Sequence, residues 1–147
     1  GRKYVVDSNL FIDAFRHRDA NDALQQFHRV FAPFEYLSAV VAHELETGVQ
    51  TAPARHRLRR YVIDPFVRRG RVVSPSFAAW QEAGGAIAKL LGQGAVGQVT
   101  RAFGNDVLLA ASCREAGATL VTNNVRDFER VASAIGFTFV PAWPAPE

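Results

Sequence analysis

Short β-rich runs that stop in a polar turn and hand over to a helical segment most limit the folds open to this chain. The first, Tyr4-Val5-Val6, ends abruptly in Asp7-Ser8-Asn9, and Leu10-Phe11-Ile12 begins a helix at once. Tyr36-Leu37, Arg71-Val72-Val73, Thr119-Leu120-Val121 and Phe137 to Val140 supply further strands, with amphipathic helical stretches between them. Strands alternating with helices in this way predict an α/β fold, a three-layer α/β/α sandwich around a mainly parallel sheet of roughly five strands. A strand that stops at a carboxylate places Asp7 at the carboxyl edge of that sheet, where open α/β folds bind ligands.

The intervening helices follow from apolar spacing and from caps. Leu10 to Phe15 reads as a short helix broken by Arg16-His17-Arg18-Asp19, and Leu24, Phe27 and Phe31 line a second that Pro33 ends. Ser38 is the expected cap of a helix with Val41, Leu45 and Val49 on one stripe and Glu44 in its body. The next, from about Ala54 to Val67, carries Leu58, Tyr61, Val62 and Phe66, with Pro65 expected to kink or end it. Trp80, Ala83, Ile87 and Leu90 define another, capped by Ser74 or Ser76, and Gly92 to Gly97 reads as a loop. Asn105 and Asp106 are expected to open a nearly all-apolar, buried helix that Gly117 ends, and Val125 to Ile135 forms the last. At 147 residues the chain fits one domain, 1–147, with its core over 3–140 and a Pro-rich tail over 141–147.

Charge and cysteine content narrow the chemistry. The net charge is only +3, yet all but Lys3 and Lys89 of the 17 cations are Arg, whose planar fork suits phosphate. Cys113 stands alone, so neither an intramolecular disulfide nor a thiolate zinc site can form, and core packing is its expected role. No apolar run reaches the roughly 18 residues of a membrane span, and the N-terminus lacks the regions of a signal peptide. The expectation is a cytoplasmic protein.

The predicted sheet edge collects Asp7, Asp106 and Asp127, and Glu44 can point into the same groove. Carboxylates crowded in a poorly solvated cleft repel one another, so a positive charge must compensate. Oxygen donors without a matching His or Cys set favour Mg²⁺ or Mn²⁺ over zinc. Divalent ions on an Arg-rich surface suggest phosphodiester hydrolysis by metal-activated water, which needs no His general base.

Four motifs in order carry a resemblance: DSN near the N-terminus, AVVAHELETG around Glu44, NDVLLAAS around Asp106 and LVTNNVRDFERV around Asp127. From Lys3 to Val140 the chain resembles the PIN-domain family and, within it, the VapC-type toxin ribonucleases. The resemblance implies an acidic Mg²⁺ or Mn²⁺ pocket and endonuclease activity on single-stranded regions of RNA, tRNA or rRNA among them. It further implies a homodimer and a VapB-like antitoxin partner. By position, Asp7, Glu44 and Asp106 match the family's regular acids as catalytic residues and metal ligands. Asp127 is assigned the fourth place, which Asn124 fills in the alternative alignment; Asn9, Thr122 and Asn124 match positions that order the pocket.

Each of these residues also has a plain structural reading. Asp7 is good turn chemistry, Glu44 can be a solvated helix residue, and Asp106 can complement a helix dipole. Asn124 with Asp127 resembles a capping box. The run Arg55-His56-Arg57-Leu58-Arg59-Arg60 lacks Glu at helical i,i+4 positions; it reads as a solvated face or, through Arg55, Arg57, Arg59 and Arg60, as a contact for RNA or antitoxin. The four His residues show no ligand spacing, and Trp80 and the Phe residues are expected in the core. Two rival functions stand beside the nuclease: a phosphoryl-transfer domain with Asp7 as phosphorylated nucleophile, and a non-catalytic module that binds nucleic acid or a partner through the arginines.

Overall fold

The five apolar runs become five parallel strands, β1 (Lys3–Val6), β2 (Glu35–Ser38), β3 (Val72–Val73), β4 (Ala118–Val121) and β5 (Thr138–Val140), in the order β3-β2-β1-β4-β5. The computed structural model describes residues 2–146; Gly1 and Glu147, the two ends of the expected domain, lie outside the described residues. Strand β1 pairs Tyr4 with Glu35 on one side and Tyr4 with Thr119 on the other. It is the central strand, and the chain leaves it towards one edge through β2 and β3, then crosses over to build the other edge from β4 and β5. The crevice beyond the carboxyl ends of β1 and β4 is therefore the topological switch point, where open sheets hold ligands.

Helices α1 (Ser8–Arg16), α2 (Arg18–Phe31), α3 (Ala39–Thr47), α4 (Ala52–Leu58), α5 (Asp64–Arg68), α6 (Phe77–Gly92), α7 (Arg101–Ala116) and α8 (Val125–Ala132) cover both sides of the sheet. Continuous burial of Val5, Val6, Leu120 and Val121 is what a central parallel strand pair requires. Tyr4, Phe27 and Phe31 form an aromatic cluster on one side, and Phe128 packs edge-on against Phe137.

Several boundaries differ from the sequence expectation for local reasons. Helix α1 starts at Ser8 because Asp7 itself caps it, accepting from the Ser8 N–H. Only His17 separates α1 from α2, so the expected polar break is a single residue. Pro65 does not end its helix. A π-turn over Arg59–Ile63 joins α4 to α5, and the Asp64 N–H bonds back to the Arg59 carbonyl five residues earlier. That wider turn takes up the register change a proline demands. Helix α7 begins at Arg101 with Thr100 as its cap, so Asp106 lies in its second turn and cannot serve the helix dipole at its start. Gly117, at φ 67°, closes α7 in the left-handed conformation expected of it. Helix α8 ends at Ala132, short of the expected Ile135.

Trp80 is not core. It is 59% exposed and Phe77 76% exposed, while Ala79, Ala83, Ala86 and Leu90 form the buried stripe of α6. The described part of the tail is tied down: Trp143 packs on Phe27, with ring centroids 5.1 Å apart, and the Ala142 N–H donates to Asn123 Oδ1 at 3.3 Å.

Candidate active site

Asp7 ends β1 and is 2% exposed, with both carboxylate oxygens engaged. Oδ1 accepts from the Ser8 N–H at 2.8 Å, and Oδ2 accepts from the Thr122 hydroxyl at 2.7 Å. The Asp7 N–H also donates to the Val121 carbonyl at 2.9 Å, which extends the β1–β4 pairing into the site. Burial pushes the Asp7 carboxyl above its ordinary range, while the Thr122 and Ser8 hydrogen bonds pull it down. Thr122 is fully buried and also accepts from the Asn124 N–H at 2.9 Å, so one hydroxyl orders both Asp7 and the turn into α8.

Ser8 joins two acids. Its N–H serves Asp7, and its Oγ donates to Glu44 Oε1 of α3 at 3.2 Å. Burial raises the Glu44 carboxyl, and repulsion from Asp7 adds to it, against the Ser8 and Asn105 hydrogen bonds. Asp106 shows the crowding most strongly. Burial, then the charges of Asp7, Glu44 and Asp127, push its carboxyl up to about 8.

Asp7, Glu44, Asp106 and Asp127 thus line one cleft of about 390 Å³, together with Asn9, Asn124 and Arg130. Thr122 supports it from beneath through Asp7. Among the described residues no three His, Cys, Asp or Glu side chains stand close enough to hold one ion between them. The donor set nevertheless suits a hard divalent cation, since every acid in the cleft offers oxygen, and burial with the charges of three neighbouring acids makes the Asp106 proton hard to lose.

Asn124 and Asp127 do not form the capping box their spacing suggests. Asn124 precedes α8, but its side chain makes no cap hydrogen bond, and both residues turn towards the cleft as lining.

The arginines of α4 and the π-turn do not line this cleft. Glu46 of α3 receives Arg59 at 2.8 Å and Arg55 at 3.4 Å, and Arg60 lies over the Tyr61 ring. The run that looked unneutralised along its own helix is partly neutralised from a neighbouring one. Ser8 and Arg130 are among the cleft residues to which the sequence reading gave no site role. Arg130 could have been found from its i,i+3 spacing to Asp127 on α8; Ser8 could not, because its role depends on Glu44, 36 residues away. Cys113 is fully buried with its thiol pushed up to about 12, chiefly by burial, as its core assignment requires.

An α/β domain with an acidic crevice at its switch point is the class this fold and site define. The sequence pattern of the PIN domain matches residues 4–134, and the chain belongs to the PIN-domain family. It is 31% identical over 132 residues to Ribonuclease VapC2 of Haemophilus influenzae, covering 88% of this chain and 92% of that protein. It is 30% identical over 130 residues to the tRNA(fMet)-specific endonuclease VapC of Shigella flexneri, with the same coverages of 88% and 92%. In fold it is similar to a chain of the DNA-bound VapBC structure from Salmonella typhimurium, with a TM-score of 0.72 at 23% identity over 96% of this chain and 98% of that one.

Proposed function

We propose that this chain is a VapC-type endoribonuclease that uses Mg²⁺ or Mn²⁺ to cut single-stranded regions of RNA, the toxin of a toxin–antitoxin pair. The observation that carries the reading is the meeting of Asp7, Glu44, Asp106 and Asp127 in one cleft, crowded enough that burial and the three other acids push the Asp106 carboxyl up to about 8. These four acids are the ones whose oxygens a divalent ion would draw on. When bound, a divalent ion supplies Lewis acidity and lowers the pKa of water. Asp7, fixed by Thr122 and Ser8, presents its carboxylate without reorganisation. Asp106 carries a proton at neutral pH, so metal uptake is coupled to release of that proton. Asn9 and Asn124 offer neutral donors and acceptors to substrate or water along the same wall.

Residues 3–140 act as one nuclease domain, in a cytoplasmic homodimer inhibited by a VapB-like antitoxin, with tRNA and rRNA as the first substrates to try. The arginine face of α4, with Arg55, Arg57, Arg59 and Arg60, suits RNA or an acidic antitoxin segment. Among the described residues no helix is long and apolar enough to cross a membrane. The aspartyl-phosphate rival loses support, since the cleft lining contains no lysine and Lys3 lies over the Tyr36 ring.

Sequencing of RNA 5′ ends after brief expression tests the assignment. New ends should appear with the wild type and vanish with Asp7→Asn, whose circular dichroism stays unchanged. Full cleavage by that variant would sink the reading.

A further inference from the structure

An acidic cleft is a poor landing place for a polyanion. Asp7, Glu44, Asp106 and Asp127 turn four acidic side chains towards any phosphate that enters. Whatever brings an RNA strand in must include cations beside these acids, and the α4 arginines are not there.

Two other arginines are. Arg130 lines the acidic cleft itself. A second hollow of about 290 Å³ adjoins it, sharing Ser8, Asn9, Glu44 and Ala102, and is lined in addition by Arg101 and His43. The two hollows adjoin across these four shared residues, with an arginine in each. Both arginines are exposed, and neither guanidinium has a hydrogen-bond or ion-pair partner among the described residues, whereas Arg55, Arg59 and Arg114 are all paired with Glu.

Arg101 is the more telling of the two. It is the first residue of α7, at the positive end of the helix dipole, where a cation opposes helix stability. Arg130 stands in the last turn of α8, where the dipole alone could explain it, but its place in the cleft adds a second role.

We infer that Arg101 and Arg130 bind the phosphates flanking the scissile one of a single RNA strand laid through both hollows. The guanidinium fork pairs two non-bridging phosphate oxygens, and two such contacts hold the strand against the repulsion of the acids between them. This rests on the ribonuclease reading and adds to it the path of the substrate.

The test is fluorescence-anisotropy binding of a labelled single-stranded RNA oligonucleotide to Asp7→Asn protein across a salt series, with wild-type cleavage measured in parallel. In that background Arg101→Ala and Arg130→Ala should each weaken binding and reduce the slope of log affinity against log salt by about 0.7. Arg101→Lys and Arg130→Lys should restore the slope, and Arg114→Ala, at a residue that lines neither hollow, should leave it unchanged. Parental slopes in both Ala variants, with the wild type still cutting RNA, would overturn the inference alone. A wild type that cuts no RNA would overturn the ribonuclease reading and this inference with it.

Discussion

Asp106 lies in the second turn of α7, where burial and three neighbouring carboxylates raise its pKa from an ordinary 3.8 to about 8. In the unfolded chain it ionises near the ordinary value, so between these limits the folded state binds more protons than the unfolded one. Stability contributed by this group therefore falls as pH rises from about 4 to about 8 and is level outside that window, with a slope of at most about 1.4 kcal/mol per pH unit. Metal-free protein should melt at a lower temperature at pH 8 than at pH 5, and Asp106→Asn should flatten that difference; calorimetric scans across the window measure both. Asp7 and Asp106 were legible in the sequence, because a strand that stops at Asp7 and an acid amid apolar Val107 and Leu108 both conflict with plain burial, whereas Glu44 and Asp127 were placed by resemblance. The hydroxyls that hold them were less so. Thr122 was placed only by resemblance, and Ser8 acquires its role from the distant Glu44.

Helix starts carry much of the local order. Ser76 caps α6 by accepting from the Ala79 N–H at 3.2 Å, and its own N–H donates to Glu115 Oε1 of α7 at 3.0 Å. Its hydroxyl also bonds Glu115 Oε2, so one residue both caps a helix and ties it to the next. Ser76→Ala should cost about 1–2 kcal/mol, the range for losing such a cap, measured as a shift in the urea midpoint with the m-value unchanged. Sequence spacing located α6 and its cap and put Ala83, Leu90 and the half-buried Ile87 on the inner side, but it misplaced Trp80. Trp80 lies at helical spacing as plausibly as Ala79, Ala83 and Ala86, and periodicity alone does not tell which face is covered. Ala79, Ala83 and Ala86 are buried with Leu90, where a close neighbour such as α7 leaves little room, and the bulky Phe77 and Trp80 stay outside. Pro65 misled for a related reason: a proline removes one helical hydrogen bond, yet a π-turn can carry the chain past it.

At the scale of the whole molecule, a mainly parallel sheet with acids at its carboxyl edge was implied by strands alternating with helices, while the strand order β3-β2-β1-β4-β5 was not. Arginine pairing was not legible, since Glu46 reaches Arg55 and Arg59 from another helix. A ligand that binds only the folded cleft stabilises all of it: Mn²⁺ or Mg²⁺ at one hundred times its dissociation constant should add about 2.7 kcal/mol. Thermal scans should show a rise in Tm that a chelator reverses and that Asp7→Asn loses. The central position of β1 carries one more consequence, in time. Asp7 is made before the rest of the cleft's acids, but Thr122, which holds its carboxylate, stands 115 residues later, and Asp127 and Arg130 follow. At ribosomal speeds of about 5–20 residues per second, several seconds separate the first acid from the last. Through that interval a growing chain has no complete cleft, so no nascent fragment can act before α8 has been synthesised and β4 has docked beside β1.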